Sequence, residues 1–189
     1  MSGPTTPSQT VGPFFSIGFS WLERNDLTEA ATGAARVTIR GRVLDGEGQP
    51  VPDALLEIWQ ADAEGRYQHP EDPRNPVTKK NFSGFGRVPV NDHGEFRFTT
   101  IKPGNVPGPD GKPQAPHLEI SIFMRELLRK LVTRIYFPAE PANEADVVLA
   151  LVPAQRRHTL VAQPIAAEPQ TLVWDVHLQG DHETVFFDD

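Results

Sequence analysis

Nineteen prolines and fifteen glycines stand between the short apolar runs of this chain instead of filling one low-complexity block. Proline removes a backbone donor and fixes φ, and glycine serves turns, so the punctuation predicts many short strands joined by turns and loops. The expected fold is all-β: a β-sandwich with short helices and long loops. We read residues 1–189 as a single domain, long enough for a sizeable core, with residues 1–20 as an N-terminal arm.

The most informative stretch is TTIKPGNVPGPDGKPQAPHLEISIF, from Thr99 to Phe123. The strand that enters it, EFRFTTI, alternates Phe96, Phe98 and Thr100 with Glu95, Arg97 and Thr99, the period of a half-buried strand. The loop from Pro103 to Pro116 holds five prolines and three glycines, which argues against both helix and ladder pairing there. The outgoing strand HLEISIF places His117, Glu119, Ser121 and Phe123 on one face and Leu118, Ile120 and Ile122 on the other. The His117/Glu119 pair has two readings: a metal or catalytic site, or a solvated strand face backed by an aliphatic core face.

Elsewhere, a Pro/Ser/Thr-rich start leads to the aromatic cluster Phe14, Phe15, Ile17 and Phe19, which must dock on this chain's own core or on a partner. Trp21 to Ala35 reads as a short helix or an exposed link. Val37–Leu44 and Ala54–Trp59 read as strands around the turn Asp45-Gly46-Glu47-Gly48, either a hairpin or a sandwich connection. Met124–Leu131 suggests a short helical turn, and Leu131–Phe137 alternates as a strand with Val132, Arg134 and Tyr136 on one side. Glu144–Leu151 fits a helix start or a strand, and Pro153–His158 a turn with a basic patch. TLVAQPIA, TLVWDVHLQG and ETVFF complete the strands. A net charge of −7 without a Lys/Arg cluster disfavours nucleic acid as a partner. The absence of cysteine excludes disulfides, zinc-thiolate sites and iron–sulfur clusters. No apolar run of membrane-spanning length and no secretory leader pattern is present, so we expect a cytoplasmic protein without a membrane partner.

The runs GRVLDGEGQPVPDALLEIWQADAEGRY, NFSGFGR, FRFTTIKPG and the His117 strand, in this order, resemble the intradiol ring-cleaving dioxygenases over roughly residues 7 to 189. The stretches PSQTVGPFF, APHLEISIF and DHETVFFDD resemble the α type of chain in a two-chain member of that family. The resemblance implies a ferric ion held by two Tyr and two His in the similar β chain. It also implies a catechol-type substrate, protocatechuate, that O₂ opens between its two hydroxyl carbons to 3-carboxy-cis,cis-muconate, a step of the β-ketoadipate route of aromatic catabolism. A hard Fe(III) ion suits such phenolate and imidazole donors.

Carried over residue by residue, the first ligand Tyr is Tyr67 and the second falls on Val106, which supplies no donor. The first His is His117 and the second falls on Glu119, while an Arg of the preceding loop appears as Gln114. The resemblance thus implies a vestigial site here, with His117 and Glu119 bonded to each other or to water. On that reading no metal and no catalytic residue belong to this chain and Fe(III) belongs to the partner β chain, the rival being a weak Tyr67–His117–Glu119 metal site. It further implies that Arg134 and the arm residues Thr10, Gly12 and Pro13 face the substrate bound in the β chain, Arg134 by its carboxylate. A guanidinium fork suits that task. The plain alternative for Arg134 is a surface pair with a Glu, and for Gly12-Pro13 a simple turn. Two other functions compete: an iron-binding homomeric intradiol enzyme, against which Val106 and Glu119 speak, and a non-enzymatic β-sandwich binding module. Phe186 and Phe187, so near the end, are expected at an interface.

Overall fold

The computed structural model describes residues 6–12, 14–29, 34–74, 82–108 and 111–188. Eleven strands fall among them: β1 Arg36–Leu44, β2 Leu55–Trp59, β3 Phe85–Pro89, β4 Glu95–Ile101, β5 Val106–Pro107, β6 Pro113–Gln114, β7 His117–Phe123, β8 Leu131–Tyr136, β9 Gln163–Ile165, β10 Glu168–Val173 and β11 Val176–His177. One sheet is organised on β1, which pairs antiparallel with β4 and parallel with both β10 and β11, and β9 extends it beyond β10. The other sheet is antiparallel throughout, in the order β3-β2-β7-β8. The two sheets face each other across one apolar core. Ile39, Val43, Phe96, Phe98 and Leu172 come from the first sheet, and Leu56, Ile58, Leu118, Ile120, Ile122 and Ile135 from the second. This is the sandwich that alternation predicts, since the period-two patterns of β4 and β7 turn Phe96, Phe98, Leu118, Ile120 and Ile122 inward.

The turn after β1 is closed by Asp45, whose carboxylate accepts from the Glu47 and Gln49 amides. Beyond it the chain crosses to the second sheet, so the connection is of the sandwich kind and not a hairpin. Residues 24–28 are neither helix nor free link. They bridge Arg87 of the second sheet and Thr99 of the first, and they bury Leu27 completely. That segment seals one side of the sandwich with backbone bonds that neither sheet could make alone.

Other expectations are corrected. Residues 124–130 form turns and bends, not a helical turn, with Glu126 held at φ 73°. Residues 144–151 form no strand, and the helical alternative holds only as short pieces of 3-10 helix, Pro141–Ala145 and Leu149–Leu151. The basic patch is a 3-10 helix, Ala154–Leu160, in which Arg156 bonds Glu183 and Arg157 bonds the carbonyls of Val152 and Ala150. The proline-rich loop does pair: β5 and β6 form a two-residue ribbon, with Val106 opposite Gln114 and Pro107 opposite Pro113. The prolines do not obstruct it, because beyond them Gly108 donates to the Lys112 carbonyl at 2.8 Å. Among the described residues no helix is long and apolar enough to cross a membrane.

Candidate functional site

The outward face of the second sheet gathers the chemistry-bearing side chains. Strand register places Trp59, Glu119 and Arg134 side by side across β2, β7 and β8, and sets His117 opposite Tyr136 in the neighbouring row. Tyr67 reaches this row from the loop after β2 and stacks on Trp59, with ring centroids 5.7 Å apart and planes 11° apart. An open cavity of about 680 Å³ lies beside the pair, lined also by Asp72, Arg74 and Pro107.

Local sequence explains how Tyr67 arrives. Asp62 accepts from the Glu64 and Arg66 amides and from the Arg66 guanidinium, folding residues 62–66 into a tight turn. Gly65 sits at φ 76°, and a Cβ there would overlap the carbonyl oxygen of Asn105. The turn therefore lies directly against the start of the proline-rich loop, where Gly104 donates to the Asp62 carbonyl at 2.9 Å. This contact carries Tyr67 and Val106 to the same end of the sheet. The Tyr67 amide donates to Asp72 at 2.8 Å, which fixes the chain just past the turn.

His117 is buried, and its Nδ1 lies 2.7 Å from the carbonyl of Ala115. A carbonyl only accepts, so Nδ1 carries the proton and Nε2 keeps its lone pair. The expected bond to Glu119 is replaced by this backbone contact. Burial, with the Arg134 charge adding to it, pulls the imidazole down to about 4. Burial also raises the Tyr67 phenol, Glu119 pushes it further in the same direction, and Arg134 opposes. Both rings are neutral at neutral pH. Val106 is buried and aliphatic. The four positions thus offer a phenol, an imidazole and a carboxylate, with a hydrocarbon at the fourth. Such a set does not fit a four-ligand ferric site. Among the described residues no group of three or more His, Asp or Glu side chains is arranged to hold a metal ion.

Arg134 is half-buried and donates from Nη1 to Gln114 Oε1 at 2.6 Å, with the Phe187 ring 5.9 Å away. Glu119 stands across from it in register. The bond that Arg134 makes thus runs to a neutral amide. Thr10 and Gly12 are exposed on the arm, and neither bonds to Arg134, Tyr67 or His117. Pro13 lies outside the described residues. The end of the arm forms helix α1, Phe14–Phe19, whose Phe15 contacts Phe123 at 5.6 Å and whose Phe19 lies 4.6 Å under the Arg87 guanidinium. The cluster therefore docks on its own sheet, while Phe14, Ile17 and Trp21 turn outward. The C-terminal pair, expected at an interface, packs on its own chain: Phe187 donates its amide to Val132 at 2.8 Å and Phe186 packs against the core.

Sequence reasoning did not single out Asp146. This fully buried carboxylate accepts from the amides of Ala115, Val148 and Leu149 and from the Tyr136 hydroxyl. It ties the start of β7 to the end of β8. The signal was an acidic residue just before the apolar run VVLAL.

Three comparisons fix the lineage. A family model described as dioxygenase matches residues 12–180. The chain is 43% identical over 197 residues to the protocatechuate 3,4-dioxygenase alpha chain of Burkholderia cepacia, covering 97% of this chain and 96% of that one. It is 36% identical over 144 residues to the beta chain of the same organism, covering 75% and 61%. Among solved structures, the dioxygenase domain of a dioxygenase–carbohydrate-binding fusion from Streptomyces sp. SirexAA-E superposes with a TM-score of 0.63 at 25% identity, covering 95% and 96%. The sandwich, the row of site positions and these matches together establish that this chain belongs to the intradiol ring-cleaving dioxygenase family.

Proposed function

We propose that this chain is the α subunit of a protocatechuate 3,4-dioxygenase, holding no iron of its own and building part of the substrate pocket of an iron-bearing β chain. The observation that carries the reading is Val106, a buried hydrocarbon in the position where a second phenolate is required. With Val106 and Glu119 in place, only Tyr67 and His117 remain of the two-Tyr, two-His set that the family resemblance implies. Membership of the family also sets aside the non-enzymatic module.

The chain's own contribution is recognition. Protocatechuate carries a carboxylate, and Arg134 is a guanidinium held by the neutral amide of Gln114. On a chain of net charge −7, attraction for an anion must be placed locally. Thr10, Gly12 and Pro13 stand on the arm as the second contact, where a glycine lets backbone approach a ligand closely. The outward stripe Phe14, Ile17 and Trp21, between 65% and 78% exposed, supports a protein partner on the same arm.

The test is iron content and ring-cleavage activity of the chain alone and with a β chain. No iron and no activity alone, with an active iron-bearing complex on co-expression, is the expected result. Stoichiometric iron in the isolated chain would overturn the reading. In the assembled enzyme, Arg134→Ala should keep its iron and raise KM for protocatechuate about tenfold or more, the worth of a lost charge-assisted contact, with much less effect on catechol. Unchanged protocatechuate kinetics would remove the carboxylate contact.

A further inference from the structure

We propose that Gln114 is a positioning residue that aims Arg134 and thereby sets the preference for carboxylated over uncarboxylated catechols. This rests on the carboxylate contact proposed above. The amide of Gln114 is held at both ends. Its Oε1 accepts from Arg134 at 2.6 Å, and its Nε2 donates to the Pro107 carbonyl at 3.3 Å. Neither end can be reversed: a guanidinium only donates and a carbonyl only accepts, so flipping the amide loses both bonds. The β5/β6 ribbon supplies the rigidity, because Gln114 pairs with Val106, the neighbour of Pro107. The Phe187 ring borders the guanidinium.

The acceptor is neutral, and that is its use. An acceptor is needed to stop a long, flexible side chain from wandering, and a carboxylate would do this more strongly. A carboxylate would also cancel the charge an incoming benzoate must find. An amide fixes one of the five guanidinium N–H groups and leaves the charge in place.

The charge argument separates positioning from plain structural support. Gln114→Glu keeps the length and offers Arg134 a better acceptor, so a purely structural role predicts no harm from it. The positioning role predicts a KM for protocatechuate raised by about tenfold or more, with the loss in KM rather than kcat. Gln114→Met, which keeps the length and removes the acceptor, should raise KM about threefold to tenfold. In both variants of the assembled enzyme the ratio of kcat/KM for protocatechuate to that for catechol should fall. A Gln114→Glu enzyme with the original ratio, beside an Arg134→Ala enzyme whose ratio collapses, would overturn the role of Gln114 alone. An unchanged ratio in Arg134→Ala would overturn it together with the carboxylate contact beneath it.

Discussion

His117 shows how a side chain can keep a place in the fold after losing its partners. Its ring is buried and faces the positive charge of Arg134, both of which oppose protonation, while its bond to the Ala115 carbonyl works the other way. An unfolded chain binds that proton near pH 6.5, and the folded one only near 4. Below the unfolded value the unfolded state takes up more protons, so stability falls as pH drops from about 6.5 to 4, by roughly 3 kcal/mol at most. His117→Gln, which has no such proton to take up, should flatten this acid limb. Thermal melts between pH 4.5 and 7.5 check it, and parallel curves for the two proteins would show that His117 is not the group concerned. Gly65 makes the opposite case, a residue needed for what it lacks. Its φ of 76° and the Asn105 carbonyl against it leave no room for a methyl group. Gly65→Ala should cost about 3 kcal/mol or more and lower Tm by several degrees. A shift under one degree would mean that the 62–66 turn and the proline-rich loop separate at little cost.

At the scale of elements, alternation was legible wherever a strand had one buried face. β4 and β7 were read correctly because Phe96, Phe98, Leu118, Ile120 and Ile122 carry the period unaided. The candidate site was legible only in part: the period placed His117 and Glu119 on one face, Arg134 entered through the family resemblance, and the pairing of β7 with β8 is what sets Glu119 beside Arg134. What alternation cannot carry is contact between distant segments. The 24–28 strap has no pattern of its own, because its bonds go to Arg87 in one sheet and Thr99 in the other. The ribbon of β5 and β6 escaped for a related reason: its prolines argue against pairing, and its bonds lie outside them. Residues 124–130 suggested a helical turn and 144–151 a helix start or a strand, but tertiary demands decided them, the latter through Asp146, which draws in the amides of Val148, Leu149 and Ala115. The Gln114–Arg134 bond was likewise invisible, for it depends on how the ribbon folds back over β8.

For the whole molecule, one surface remains to be accounted for. The first helix spends Phe15 and Phe19 on its own sheet and leaves Phe14, Ile17 and Trp21 outside, 78%, 65% and 78% exposed. Changing Phe14 and Trp21 together to Ser should leave the fold's melting behaviour nearly as it was, since neither side chain is buried. In the proposed α/β complex it should raise the concentration at which the chains dissociate by tenfold or more, as loss of an aromatic anchor does. Dilution followed by size analysis reads this directly, and an unchanged midpoint would place the partner elsewhere. The sheet built on β1 has a different consequence, one of timing. β1 is made early, and its antiparallel neighbour β4 follows at the middle of the sequence, yet its other edge is completed by Glu168–Val173 and Val176–His177. During synthesis this sheet therefore keeps an open edge along β1 until those late strands are made, although the facing sheet is complete by Tyr136. Pairing strands so far apart in sequence slows folding and lengthens the time an unpaired edge stands open to wrong partners.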